Sequence, residues 1–318
     1  MHNSPNVVIM VWKQFPDAGF GDMLRGTIHL YNISRRLNFR FILDTQLHPV
    51  SKLLVPCPHM YSKYVLENQS EIVNMTNTIK EKLESVIKSK LRRDKPLLIT
   101  TNCQPTDAMT NDCKRFMRLV LRPTDEFNRY FIEMRNKFQI PNGYAIGHFR
   151  LGDEELNGDG SIDEDKYAKW LELVGQQMLK FPNLYVMSDS LEFKKYLCKR
   201  IRPEFVRRII PTTPIHLSHP DAAADVENIK ETMFDFMLLI NAQFITTHSK
   251  YGWISNFVMW VGGIFNVPVF DMKPPKVTMN VSVSKSTNVH PHQMQKHVKS
   301  SIPTPLFSHS TVAFRKMF

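Results

Sequence analysis

His148 and Arg150 stand two residues apart in Gly147-His148-Phe149-Arg150-Leu151-Gly152-Asp153. At the end of a strand this spacing sends both side chains to one face. An imidazole and a guanidinium then share one ligand, and the two-pronged guanidinium suits phosphate oxygens better than a lysine does. A second set lies near the start of the chain, in Gly19-Phe20-Gly21-Asp22-Met23-Leu24-Arg25-Gly26. Glycines between a strand and a helix let backbone N–H groups approach an anion at the helix N-terminus. The run is not a dinucleotide fingerprint, because its third glycine comes late and Asp22 repels a pyrophosphate. An ordinary strand-to-helix turn with Asp22 as its cap is the other expectation for this segment.

Three further patterns fall short of metal sites. Asn157-Gly158-Asp159-Gly160-Ser161-Ile162-Asp163 has some of the spacing of an EF-hand loop, but its first and twelfth positions are Glu155 and Lys166, and a strand precedes it. Calcium needs Asp and a bidentate Glu there, between two helices. Asp163-Glu164-Asp165 opens a helix, where acidic residues complement the dipole. His290, His292 and His297 have neither cysteine nor carboxylate beside them, so no metal ligand is assigned. The cysteines, Cys57, Cys103, Cys113 and Cys198, form no Cys-x-x-Cys pair. That excludes a zinc ribbon and a disulfide-dense scaffold and leaves reduced thiols as the expectation.

The elements that must position these residues alternate. Val7–Trp12 reads as a buried strand, 23–37 as a helix and 39–43 as a second strand. Residues 67–93 read as one long polar helix, 97–100 as a strand, and Asp125–Phe138 as a helix that stops near Pro141 and Gly143. The pattern restarts with a strand at 144–149 and a helix through Tyr167, Trp170, Leu171, Val174 and Met178. Strands follow at 184–187, 208–210, 244–247 and 267–270, with helices at 191–197, 229–242 and 253–262. Trp253, Phe257 and Trp260 form an apolar stripe on the last helix. Strand–helix alternation predicts an α/β fold with largely parallel sheets. Two tandem units predict two Rossmann-like domains, 1–143 and 144–274, facing a central cleft beyond the carboxyl ends of their strands. Residues 275–318, rich in Pro, Ser and His, read as a basic tail.

Size and charge agree with that division. The 318 residues are 42% hydrophobic and 22% charged, which is globular composition. The net charge of +11 divides into +8 over 1–143, −4 over 144–272 and +7 over 273–318. Without a recognisable RNA- or DNA-binding pattern, this segregation does not make nucleic acid a partner. No run approaches the ~20 apolar residues of a membrane span, and no basic, then apolar, leader opens the sequence. The expected compartment is the cytoplasm, with a lumenal catalytic fragment as the alternative. The sequons at Asn32, Asn68, Asn74 and Asn280 do not decide between them.

HFRLGD resembles the His-x-Arg-x-x-Asp signature of the fucosyltransferase superfamily that includes the α-1,2, α-1,6 and protein O-fucosyltransferases. GFGDMLRG, Tyr185-Val186-Met187-Ser188-Asp189-Ser190, and Asp235-x-x-Leu238-Leu239 followed by Phe244-Ile245-Thr246-Thr247-His248-Ser249 are similar to further segments of that superfamily, in the same order. The resemblance implies a GT-B fold and inverting transfer of fucose from GDP-fucose to a glycan hydroxyl, with no metal cofactor. It implies that Arg150 contacts the β-phosphate, that His148 and Asp189 hold the guanosine, and that Thr247, His248 and Ser249 contact the phosphates. Asp235 would support that last block, Ser188 belongs to the Ser-Asp segment, and Gly19, Gly21 and Arg25 belong to the first-strand loop. Leu151 replaces a second arginine common in the α-1,2 and core enzymes, so one phosphate or acceptor contact is absent or supplied elsewhere, with Arg25 as a candidate. For the general base Asp153, Glu154, Glu155 and Asp22 are all available, and Asp153 is preferred as a carboxylate at the cleft edge. A different nucleotide sugar, or a glycan- or polyanion-binding protein without turnover, are the competing functions.

Overall fold

The computed structural model describes residues 6–13, 19–56, 58–105, 107–151, 164–214, 226–249 and 257–271. The acidic loop with Asp153, Glu154 and Glu155, the EF-hand-like run within it, Trp253 and the tail lie outside these residues. Both sheets belong to one compact unit, Met1–Pro275. No described helix is long and apolar enough to cross a membrane.

The first sheet is built from β1 (Val7–Lys13), β2 (Arg40–Leu47), β3 (Val73–Asn74) and β4 (Leu97–Thr100) in the order β2-β1-β4-β3, all parallel. β1 is buried on both faces because helices cover both sides. Val8, Met10 and Trp12 face one cluster, and Ile9 and Val11 face another that includes Tyr61 and Val65 of α2 (His59–Glu67). α1 (Phe20–Leu37) lies on the larger cluster. Its Gly26 is required by contact, since a Cβ there would collide with the Thr101 carbonyl oxygen. The third glycine of the early loop thus serves helix–sheet packing.

The second sheet holds β5 (Ala145–Arg150), β6 (Leu184–Ser188), β7 (Ile245–Ser249) and β8 (Val269–Asp271) in the order β6-β5-β7-β8, again all parallel. The α/β fold with two parallel sheets agrees with the sequence expectation. The chain leaves β5 for β6 on one side and returns to β7 on the other, which makes the β5/β7 boundary the topological switch point. In open parallel sheets ligands bind beyond the strand ends at this point. α6 (Glu164–Lys180) and α7 (Leu191–Arg200) contribute Tyr167, Val174, Phe193 and Leu197 to one side of the sheet. The other side joins a core that runs on into the first half of the chain. Phe20 of α1 packs edge-on to Phe236, with ring centroids 5.1 Å apart, and lies 5.6 Å from Phe257.

Two sequence expectations are corrected. Residues 67–93 do not form one helix. After α2 come a 3-10 turn at Gln69–Glu71, then β3, then α3 (Lys80–Lys90). Pairing decides this: Met75 N–H donates to the Thr100 carbonyl at 2.8 Å, and the Thr101 hydroxyl donates to the Met75 carbonyl at 3.1 Å. Asn77 then takes a left-handed φ of 55° before α3 can begin. Residues 208–210 make a single parallel bridge, Ile209 to Val186, in place of a full strand. The expected helix at 125–138 is α5 (Asp125–Lys137), whereas α2, α4 (Asn111–Val120) and the short α8 (Pro203–Val206) were not expected, although Thr110 caps α4 by accepting the Cys113 N–H at 3.2 Å.

Candidate functional site

The register of the second sheet sorts the predicted residues onto two faces. His148 pairs with Thr247 and Arg150 with Ser249, and by the two-residue period these four positions share one face at the switch point. Phe149 and His248 pair on the opposite face. There His248 lies against Trp170 of α6, with ring centroids 3.7 Å apart. The structure therefore does not bring the His248 side chain together with Arg150, although its backbone remains at the same strand end.

On the shared face, His148 Nδ1 and the Thr247 hydroxyl are hydrogen-bonded at 3.1 Å. Burial lowers the His148 pKa to about 4, with Asp189 pulling upward and Arg150 and His248 downward, so the ring is neutral at pH 7. Burial lowers His248 to about 4 as well, against the pull of Asp271.

Asp189 lies one residue beyond β6. Arg150 Nη1 donates to Asp189 Oδ2 at 2.6 Å, and the Leu151 N–H donates to Oδ1 at 2.9 Å. Ser188 builds the turn that carries this carboxylate, its hydroxyl accepting the Ser190 N–H at 3.1 Å. Ser190 then caps α7 by accepting the Phe193 N–H at 3.1 Å. Leu151 is fully buried in the apolar cluster under α6 and α7. Its position therefore offers no place for a second cation.

Asp235, on α9 (Glu227–Ile240), is buried deeper. Both its carboxylate oxygens lie within 3.1 Å of the Thr212 hydroxyl, and Lys194 Nζ donates to the Thr212 carbonyl at 2.5 Å and to its hydroxyl at 3.3 Å. Burial raises Asp235 to about 7, while Lys194 and the Thr212 hydroxyl pull it down. Burial likewise lowers Lys194, with Asp235, Asp189 and Glu231 opposing. Lys194 and Thr212 were missed in the sequence. Lys194 looks like its solvated neighbour Lys195, and only its place on the Phe193–Leu197 face of α7 buries it.

In the first half, Gly19 is the N-cap of α1 and its N–H donates to Asp22 Oδ2 at 2.9 Å. Asp22 thus sits in the first turn, not at the cap itself, and also pairs with Arg25. Gly21 faces Phe257, whose Cβ would lie 3.5 Å from an added methyl. Arg25 Nε is buried without a hydrogen-bond partner among the described residues. Asp153, the preferred base, lies outside the described residues, and Ser249 is placed here only by its backbone register. Among the described residues no cluster of three or more His, Cys, Asp or Glu side chains could hold a metal.

No family model and no curated protein matches the chain. Solved structures do. A mutant of FUT1 from Arabidopsis thaliana in complex with GDP is similar over 86% of this chain and 71% of its own, with 11% identity and a TM-score of 0.52. Fucosyltransferase NodZ from Bradyrhizobium is similar over 81% of this chain and 92% of its own, with 11% identity and a TM-score of 0.47. POFUT1 in complex with GDP gives 85% and 99%, 8% identity and a TM-score of 0.47. At such identities the likeness concerns architecture. The two parallel sheets, with a polar strand end at the switch point of the second, give this chain the GT-B fold seen in fucosyltransferase structures.

Proposed function

We propose that the protein is a glycosyltransferase that moves a sugar, fucose foremost, from a GDP-sugar to a glycan hydroxyl with inversion and without a metal. The observation that carries this is the placement of Arg150 at the β5/β7 switch point, its guanidinium aimed by Asp189. As the sugar–phosphate bond breaks, negative charge grows on the β-phosphate of the departing GDP. A guanidinium fixed beside it stabilises that charge with little reorganisation. Backbone amides at Thr247–Ser249 would share the phosphates, and neutral His148 would meet the nucleoside as a hydrogen-bonding group without a charge. Asp235, hydrogen-bonded to Thr212, would support the Thr247–Ser249 block. Asp153 is proposed as the base that takes the acceptor proton, and Arg25 as the second cation that Leu151 does not supply. The Arabidopsis structure contains GDP, which supports the donor class proposed here.

A thermal-shift panel of GDP, UDP, CDP and their sugars tests the donor. A ligand at a hundred times its dissociation constant stabilises the folded state by roughly 2.7 kcal/mol. GDP and GDP-fucose are expected to give the largest shifts, unchanged by EDTA. A UDP shift with none for GDP would remove the fucosyltransferase proposal and leave the fold intact.

A further inference from the structure

Asp189 was expected to hold guanosine, but its geometry gives it another task. Strand pairing sets Phe149 opposite Ser188, so the residue after β6 comes to rest beside the end of β5. There one carboxylate oxygen takes the Arg150 guanidinium and the other takes the backbone N–H of the next residue, Leu151. Ser188 and Ser190 lock the turn from which the carboxylate projects, and fully buried Leu151 locks the strand end it grips. The side chains of Arg150 and Asp189 remain 33% and 19% exposed, so the pair is only partly buried.

We propose, resting on the donor assignment above, that Asp189 is a positioning residue for Arg150 and not a reader of the guanosine. It has two opposed effects on a diphosphate. It holds the guanidinium in one direction, which favours the transition state, where charge on the leaving phosphate is greatest. It also offsets part of the guanidinium charge before the ligand arrives, which weakens binding of the ground state. Such a residue separates turnover from affinity.

The test compares full-length wild type with Asp189→Asn. Calorimetry measures binding of guanosine, which lacks phosphate, and of GDP, and steady-state kinetics measures turnover with GDP-fucose. Guanosine affinity should stay within about twofold, GDP should bind at least as tightly as to wild type, and kcat should fall about tenfold or more without a rise in donor KM. Adding Asp189→Asn to Arg150→Lys should cost little beyond the single arginine change, since both remove one interaction. Parallel losses of guanosine and GDP affinity would show that Asp189 reads the nucleoside and overturn the proposal. Additive losses in the double variant, or an Asp189→Asn chain that does not fold, would also overturn it. Asp189→Glu supplies an independent check: it retains the charge but displaces the carboxylate, so wild-type kcat in that variant would contradict positioning. Wild-type protein that binds neither guanosine nor GDP would overturn the donor assignment itself.

Discussion

The protein pairs an arginine with an aspartate at the start of α1 and at the ends of β5 and β6, and the two pairs are built differently. Arg25 and Asp22 are three residues apart on α1. Asp22 also receives the Gly19 N–H, so this pair completes a helix end and forms wherever the helix forms. Arg150 and Asp189 lie 39 residues apart in sequence and meet only because β5 and β6 pair in parallel register. The first pair reports local folding. The second exists only once the sheet is assembled; it joins the ends of β5 and β6, and its arginine borders the β5/β7 switch point.

The largest effect should come from the long-range pair. Arg150→Lys keeps the charge and loses the fork, so turnover should fall at least about tenfold, roughly 1.4 kcal/mol. Steady-state rates read beside the unfolding temperature of the ligand-free protein check this. Equal losses in both would make Arg150 a structural strand-end residue. Gly26→Ala attacks the packing under the local pair. Its methyl collides with the Thr101 carbonyl, and overpacking of this kind costs about 1–3 kcal/mol. Chemical denaturation should show that loss, and an alanine variant as stable as wild type would mean that α1 can shift away from β4 at little cost.

These two residues also show how far the sequence could be read. The β-branched runs at Val7–Val11 and the restart at Tyr144 were enough to predict two parallel α/β units, because buried parallel strands need continuous apolar residues. His148 and Arg150 were placed correctly on one face by their spacing alone. The role of Gly26 was hidden, since the Thr101 carbonyl it accommodates is distant in sequence. The break of residues 67–93 was hidden for the same reason: a two-residue strand is defined by its partner β4 and not by its own periodicity. Lys194, Thr212 and the grip of Asp189 on Arg150 likewise depend on contacts between elements, and no local pattern announced them.

Titration gives a smaller effect. His48, His148 and His248 are each lowered to about 4, chiefly by burial. A histidine with an ordinary pKa of 6.5 in the unfolded chain binds its proton more readily there, so folding stability is complete above that pH and is lost as pH falls toward 4. Asp235, raised to about 7, acts in the opposite sense and stabilises more as pH falls through 7. Replacing His248 with Phe preserves a ring against Trp170 and removes one of the three protons. The slope of stability against pH between 6.5 and 4 should become shallower by up to about 1.4 kcal/mol per unit. An unchanged slope in denaturation curves across this range would mean that His248 titrates alike in both states.

The smallest effect belongs to the local pair. Asp22→Asn should lower stability by about 0.3–1 kcal/mol through weaker interaction with the N-terminus of α1, and turnover should stay within about threefold of wild type. A loss of a hundredfold or more at unchanged stability would instead make Asp22 the general base and displace Asp153 from that role.

The measurement closest to the central claim is release of GDP from GDP-fucose by the wild-type protein, without acceptor and in excess EDTA. The arrangement around Arg150 predicts slow, protein-dependent release that persists in EDTA, accelerates when a suitable acceptor is added and is lost in Arg150→Ala. Tight binding of GDP-fucose with no release, with or without acceptor, would make the protein a binder on this fold. Release that stops in EDTA and returns with manganese would contradict charge stabilisation by Arg150 without a metal.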